Sequence, residues 1–255
     1  MLTARKNRLL NRLIYHALIA SGLRLSFHCV WLRQATPAPV SDPRPVVLFG
    51  NHSAWWDAHL AMALNERCWH KDGYVMVEHT QLSRYQFFRA CGAFSVDRTN
   101  PRSAMRSITY ATELLCGAPH RLLLIFPQGE ILANDVRPLR FQNGTALIAR
   151  RVAQRTGACL LYPMALRYEF IGEQKPDAFI SIGPPIRVLA DDLPAANVLN
   201  ACLEAALTET LDALRNDVVA YRFADFQPLM WGLGSINRWW DALRGKTQIK
   251  RVGWE

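Results

Sequence analysis

Short apolar runs alternate with longer mixed stretches through the middle of the chain. PVVLF at 45–49, YVMVE at 74–78, LLLIF at 122–126, LLYPMAL at 160–166 and FISI at 179–182 predict β-strands, with a short extended piece at 94–96. The stretches between them predict helices at 53–66, 81–90, 102–116, 144–157 and 194–215. The first is read as capped by Ser53, and the third as ended by Gly117 and Pro119. LLLIF has no polar position, the pattern of a strand buried on both faces of a parallel sheet. Alternation of strand and helix predicts an α/β fold with a largely parallel central sheet flanked by helices. In such sheets, sites collect at the carboxyl ends of the strands.

The two ends of the chain are patterned differently. Residues 13–32 form a long apolar stretch interrupted by His16, Arg24 and His28, preceded by Arg5, Lys6, Arg8 and Arg12. The length would suit a bilayer span, but the charges predict instead an N-terminal amphipathic helix or helix pair lying in the headgroup layer, its arginines toward lipid phosphates. A signal peptide would show a small-residue cleavage site, and ATPAP follows instead. The competing reading is a helix that covers the core of the domain. At the other end, Trp231, Trp239, Trp240 and Trp254 alternate with Arg238, Arg244, Lys246, Lys250 and Arg251. Such a tail fits a membrane interface, stacking on single-stranded nucleic acid, or packing on the chain's own core. The expected organisation is a membrane-interfacial segment at 1–33, a catalytic domain at 34–216 and a Trp-rich basic tail at 217–255.

Charge sharpens this division. The net charge is +9 over 255 residues. Residues 1–33 carry six bases and no acid, 222–255 carry six bases against three acids, and 34–221 hold eighteen of each. A neutral domain with basic ends suits an anionic surface, lipid or nucleic acid. Half of the residues are hydrophobic, enough for a sizeable core and inconsistent with a disordered chain. No repeat or low-complexity run appears. The six cysteines have no metal-binding spacing and read as reduced, buried thiols. His59 and His79 are the loose metal candidates near His52, too few for a metal hydrolase, so no metal is expected. No phosphate-binding loop or dinucleotide fingerprint is present.

The segment Asn51-His52-Ser53-Ala54-Trp55-Trp56-Asp57 carries the clearest chemistry. His52 follows a strand at the start of a helix, and Asp57 lies about one turn further on. A carboxylate on one imidazole nitrogen leaves the other as a base and stabilises the imidazolium that forms. Such a pair can activate an enzymatic serine or a substrate hydroxyl, and the lack of a G-x-S-x-G nucleophile elbow favours the substrate hydroxyl. Three further segments follow in order: Gly92-Ala93-Phe94-Ser95-Val96-Asp97-Arg98, Phe126-Pro127-Gln128-Gly129-Glu130 and Leu161-Tyr162-Pro163-Met164-Ala165. Together the four resemble the motifs of the glycerolipid acyltransferases typified by 1-acylglycerol-3-phosphate acyltransferases, whose first motif is His-x4-Asp. The resemblance covers roughly residues 45–187.

The resemblance implies an O-acyltransferase that moves a fatty acyl chain from acyl-CoA or acyl carrier protein to a hydroxyl of a lipid acceptor; the expected partners are these thioesters and, from the basic ends, an anionic membrane surface. It implies His52 as general base oriented by Asp57, and substrate contacts from Arg98, Gly92, Phe94, Pro127, Gln128, Gly129 and Glu130, with Arg98 gripping an acceptor phosphate. No cofactor beyond the thioester, no metal and no nucleic acid enter the expectation. The expected location is the cytoplasmic face of the membrane, peripheral or monotopic. The third motif departs from the usual Phe-Pro-Glu-Gly-Thr, with Gln128 in the Glu place and Glu130 in the Thr place. The acceptor is thus open between a lysophospholipid such as 1-acylglycerol-3-phosphate and a neutral or sugar-bearing lipid. The other class in view is a non-catalytic membrane-binding protein on the same fold.

Overall fold

A computed structural model describes residues 1–234 of the chain. In chain order its elements are α1 (Arg8–Ile14), α2 (Ser21–Ser26), β1 (Cys29–Gln34), β2 (Val46–Gly50), α3 (Asp57–Leu64), β3 (Asp72–Glu78), α4 (His79–Arg84), β4 (Ala93–Val96), α5 (Pro101–Cys116), β5 (Arg121–Ile125), α6 (Gly144–Thr156), β6 (Ala158–Glu169), β7 (Asp177–Ile182), β8 (Ile186–Leu189), α7 (Ala196–Val219) and β9 (Gln227–Trp231). The strands form one sheet in the order β4-β3-β5-β2-β6-β7-β1-β9, with β8 beside β6. From β4 through β6 every neighbouring pair is parallel, as is β1 with β7. Only β6–β7, β6–β8 and β1–β9 run antiparallel. The fold is the expected α/β layer structure.

The apolar runs are continuous because both faces of the sheet are covered. Val46 and Leu48 of β2, with Leu122 and Leu124 of β5, face a layer that includes Ile19 and Leu23 of the N-terminal helices and Leu60 and Leu64 of α3. The alternate residues Val47, Phe49, Leu123 and Ile125 face α5, α6 and α7 through Ile108, Ile148, Val152 and Leu207. Each such side chain contributes about 1.5–3 kcal/mol when fully buried.

Several boundaries differ from the sequence reading. Residues 8–26 are helical, with a wider π turn at Tyr15–Ala20, but 29–34 are a largely buried strand of the sheet, between β7 and β9. The Phe27 N–H closes the helix on the Leu23 carbonyl, and the β-branched and aromatic residues that follow pair with β7. The boundary expected at 33/34 therefore falls inside β1, and that at 216/217 inside α7. Both alternatives for the N-terminal segment have a face here: Ile14, Tyr15, Ile19 and Leu23 are buried in the core, while Leu9, Leu13, Leu18 and Leu25 are exposed. The expected helix at 81–90 is two pieces, α4 and a 3₁₀ turn at Gln86–Cys91. Trp231 belongs to β9, its ring 5.3 Å from Trp31, so this member of the tail packs on the sheet edge. Trp239, Trp240, Trp254, Arg238, Arg244, Lys246, Lys250 and Arg251 lie outside the described residues.

Candidate active site

The adjacent parallel strands β2 and β5 end side by side, so the loops that follow them meet. After Gly50 the backbone leaves the sheet, and the buried Asn51 side chain takes over its pairing with β6. Asn51 Oδ1 accepts from the Leu166 N–H at 2.8 Å, and Asn51 Nδ2 donates to the Leu166 carbonyl at 3.0 Å. The chain is thereby free to turn without leaving Leu166 unsatisfied.

Asp57 organises that turn. Its Oδ2 accepts from the N–H groups of Ser53 at 2.6 Å and Ala54 at 2.9 Å, and pairs with His52 Nδ1 at 2.7 Å. Its Oδ1 accepts from the Tyr168 hydroxyl. The carboxyl group is fully buried, and with four donors around it, it is an acceptor-only carboxylate. The backbone bonds to Ser53 and Ala54 hold 51–56 as a loop, so helix α3 begins at Asp57 and Ser53 does not cap it, contrary to the sequence reading. A carboxylate at Oδ2 makes His52 Nδ1 the protonated nitrogen, which leaves the lone pair on Nε2.

The second loop fixes the imidazole from the other side. The Phe126 ring stacks on His52 at 4.6 Å between centroids and 18° between planes. Gln128 is buried, and its Oε1 accepts from the His52 backbone N–H at 2.9 Å. The Leu132 N–H returns to the His52 carbonyl at 2.8 Å. Pro127 is also buried, its carbonyl accepting from the Gln142 N–H. Gly129 turns at φ +76°, and Arg98 lies over it so closely that a Cβ there would stand 2.6 Å from Arg98 Nη1.

Arg98 comes from the end of β4, and its exposed guanidinium makes no hydrogen bond or ion pair among the described residues. Its neighbour Asp97 is engaged by Thr99, whose hydroxyl donates at 2.7 Å and holds the carboxyl below its ordinary range. Glu130 is exposed on the same loop as Gly129. The structure thus links His52 to Asp57 and, through the Phe126–Gly129 loop, to Arg98, with Glu130 exposed beside Gly129. Four other residues expected to touch substrate lie inside the protein or in a bend. Gln128 and Pro127 are inside, supporting the His52 loop. Phe94 is fully buried in the core beside Tyr110. Gly92 turns at φ +94° where a Cβ would meet the Gly73 carbonyl, so it serves the bend into β4.

The sequence reading gives no role to Asn51 or Tyr168. Asn51 opens the first motif segment, and a polar residue directly after an apolar strand is the available signal. Tyr168 lies 111 residues from its partner Asp57, and no linear pattern points to it. His59 stacks on Trp55 at 4.3 Å, burial pushing its pKa down, and His79 Nδ1 lies 3.2 Å from Ser95 Oγ. Among the described residues no group of three His, Cys, Asp or Glu is placed to hold a metal. None of the six cysteines is in a disulfide. Burial pushes the Cys91 thiol up to about 11, and Cys159 is raised as well, which disfavours either as a nucleophile.

The close contact at Gly129 makes a specific expectation. Gly129→Ala should cost about 1–2 kcal/mol through the left-handed backbone alone. Displacement of Arg98 adds to it, and this part should disappear in the Arg98→Ala background. Thermal unfolding of both single variants and the double variant measures it, with a coupling of about 0.5 kcal/mol or more expected. Strict additivity would mean that the guanidinium is not held against the loop.

A family model described as "Acyltransferase" matches residues 32–167. The chain is 31% identical over 114 residues to the 1-acyl-sn-glycerol-3-phosphate acyltransferase of Streptococcus pneumoniae (strain ATCC BAA-255 / R6). That stretch is 43% of this chain but 38% of the relative, so less than half of the relative's length is matched. The crystal structure of the 1-acyl-sn-glycerophosphate (LPA) acyltransferase PlsC from Thermotoga maritima superposes with a TM-score of 0.53 at 14% identity. This likeness covers 83% of this chain and 84% of that one, and is a likeness of fold.

Proposed function

From the premise that this chain belongs to the acyltransferase family, we propose that it transfers a fatty acyl chain from a thioester, acyl-CoA or acyl carrier protein, to a hydroxyl of a lysophospholipid such as 1-acylglycerol-3-phosphate. The observation that carries the reading is the His52–Asp57 pair at the carboxyl end of β2, its Nδ1 side taken by a buried carboxylate. His52 Nε2 takes the proton of the acceptor hydroxyl as its oxygen attacks the thioester carbonyl. The new C–O ester bond forms, the C–S bond breaks, and the departing thiolate collects the proton. Asp57 stabilises the imidazolium in between. The exposed Arg98, lacking an acidic partner among the described residues, supports an acceptor with a phosphate, which its planar fork can grip in two places. The substitution of Gln128 and Glu130 in the third motif leaves a glycolipid or neutral acceptor as the second reading. Thiol release from long-chain acyl-CoA and acyl carrier protein, measured against a panel of lysolipids and glycolipids, tests the proposal. Acceptor-dependent release is expected with the phosphate-bearing lysolipids. Release that needs no acceptor, or none with any pair, would count against acyl transfer.

The same proposal places the protein on an anionic membrane surface, on its cytoplasmic face. Among the described residues no helix is long and apolar enough to cross a membrane. The exposed Leu9, Leu13, Leu18 and Leu25, interspersed with Arg8, Arg12 and Arg24, support docking through the N-terminal helices. Leu9→Asp with Leu13→Asp is expected to weaken binding to anionic vesicles by about tenfold or more. The fold should be intact, because both side chains are mostly exposed. Co-sedimentation with vesicles checks this; unchanged binding would remove the N-terminal helices from the interface.

A further inference from the structure

Asp57 divides its hydrogen bonds unevenly. Oδ2 serves Ser53, Ala54 and His52, whereas Tyr168 is the donor on Oδ1. No solvent reaches the fully buried carboxylate to replace it. Tyr168 is in turn clamped. Its ring stacks on Phe27 at 5.7 Å and 29°, and Phe27 meets the edge of Trp56 at 5.5 Å and 78°. Backbone pairing sets Tyr168 opposite Ala178 near the end of β6. Both partners come from outside the family-matched segment 32–167, Tyr168 one residue after it and Phe27 before it.

We propose that Tyr168 is a positioning residue for catalysis, holding Asp57 through Oδ1 in the orientation that aims His52, an inference that rests on the reading of His52 as base. With Oδ1 anchored, the carboxylate cannot rotate, so Oδ2 stays in line with Nδ1 and the imidazole stays against Phe126. Burial and the Asp57 charge both raise the Tyr168 pKa, so the phenol remains a donor across the working range. The bond also draws charge away from the carboxylate and so moderates its pull on the His52 proton. Besides His52 and Tyr168, His59, two residues on in α3, is a titratable group that senses Asp57.

Tyr168→Phe removes the hydroxyl and keeps the ring stacked on Phe27. Its kcat is expected to fall about tenfold to a hundredfold, the range for losing a partner that orients a functional ligand. KM for donor and acceptor should hold within about twofold, since uniform binding is untouched. The acid limb of kcat/KM should move to higher pH, because the unanchored carboxylate attracts the imidazolium more strongly. The same shift in a Tyr168→Phe, His59→Gln double variant would exclude His59 as its source. A 3-fluorotyrosine at position 168 keeps the packing with a stronger donor, and should move the limb to lower pH. It also serves as the test if Tyr168→Phe does not fold. Wild-type kcat and an unmoved limb would overturn the positioning role. If His52→Ala is inactive while Tyr168→Phe is fully active, this inference alone fails; if His52→Ala is also fully active, the base assignment has failed.

Discussion

His52→Ala is expected to lower acceptor-dependent thiol release by about a hundredfold to ten-thousandfold, the usual contribution of a positioned general base. The loss should appear in kcat and kcat/KM alike, because the proton moves only in the transition state. The fold should survive. The His52 side chain is about a quarter exposed. The backbone bonds that shape its loop, from the His52 N–H to Gln128 and from Leu132 to the His52 carbonyl, do not involve the imidazole. The variant loses the stack on Phe126 and one bond to Asp57, whose Oδ2 keeps Ser53 and Ala54. Steady-state rates beside a melting curve therefore separate chemistry from folding. A variant that melts like the wild type and turns over at the wild-type rate would remove His52 as the base.

The second large effect belongs to Asp57, where two replacements should part company. Asp57→Ala leaves the Ser53 and Ala54 N–H groups and the Tyr168 hydroxyl facing a site without solvent. Each unpaired buried donor costs about 1–3 kcal/mol, so a large drop in melting temperature is expected along with loss of activity. Asp57→Asn has nearly the same shape. Its carbonyl oxygen can take the Oδ2 position and its amide can donate to the Tyr168 oxygen, so the fold should hold. The charge that stabilises the imidazolium is gone, however, and kcat is expected to fall by about a hundredfold to ten-thousandfold. Calorimetry and kcat on both variants give the comparison. An Asn variant with near wild-type turnover would show that hydrogen bonding to Asp57 matters and its charge does not.

Residues of the same motifs end in different surroundings for a physical reason. Gln128 and Arg98 both sat in motif segments, yet one is a buried support and the other an exposed cation, because the two loops cross at Gly129. Phe94 sits in a motif as well, but alternation along β4 turns its ring into the core. A motif marks a segment; which side of the segment meets solvent is set by what packs on it. The N-terminal stretch shows the same ambiguity, since the run that reads as one interfacial element is a helix followed by the buried strand β1.

What the sequence by itself determined was local or repetitive. Apolar runs at 45–49 and 122–126 specified strands covered on both faces, mixed stretches specified the helices between them, and the spacing of His52 and Asp57 placed an imidazole and a carboxylate within one loop of each other. These follow from neighbours a few residues apart, where period and reach are set by backbone geometry. Tertiary structure alone decided the rest. It brought Tyr168 to Asp57 across 111 residues, Gln128 to His52 across 76, and Asn51 to Leu166 across 115. It also enlisted β1 and the edge strand β9, whose short runs acquire their partners only once the sheet exists. A buried carboxylate needs every donor it can find; the loop of Asp57 supplies His52, Ser53 and Ala54, but Tyr168 arrives on β6, distant in the chain and adjacent only after folding.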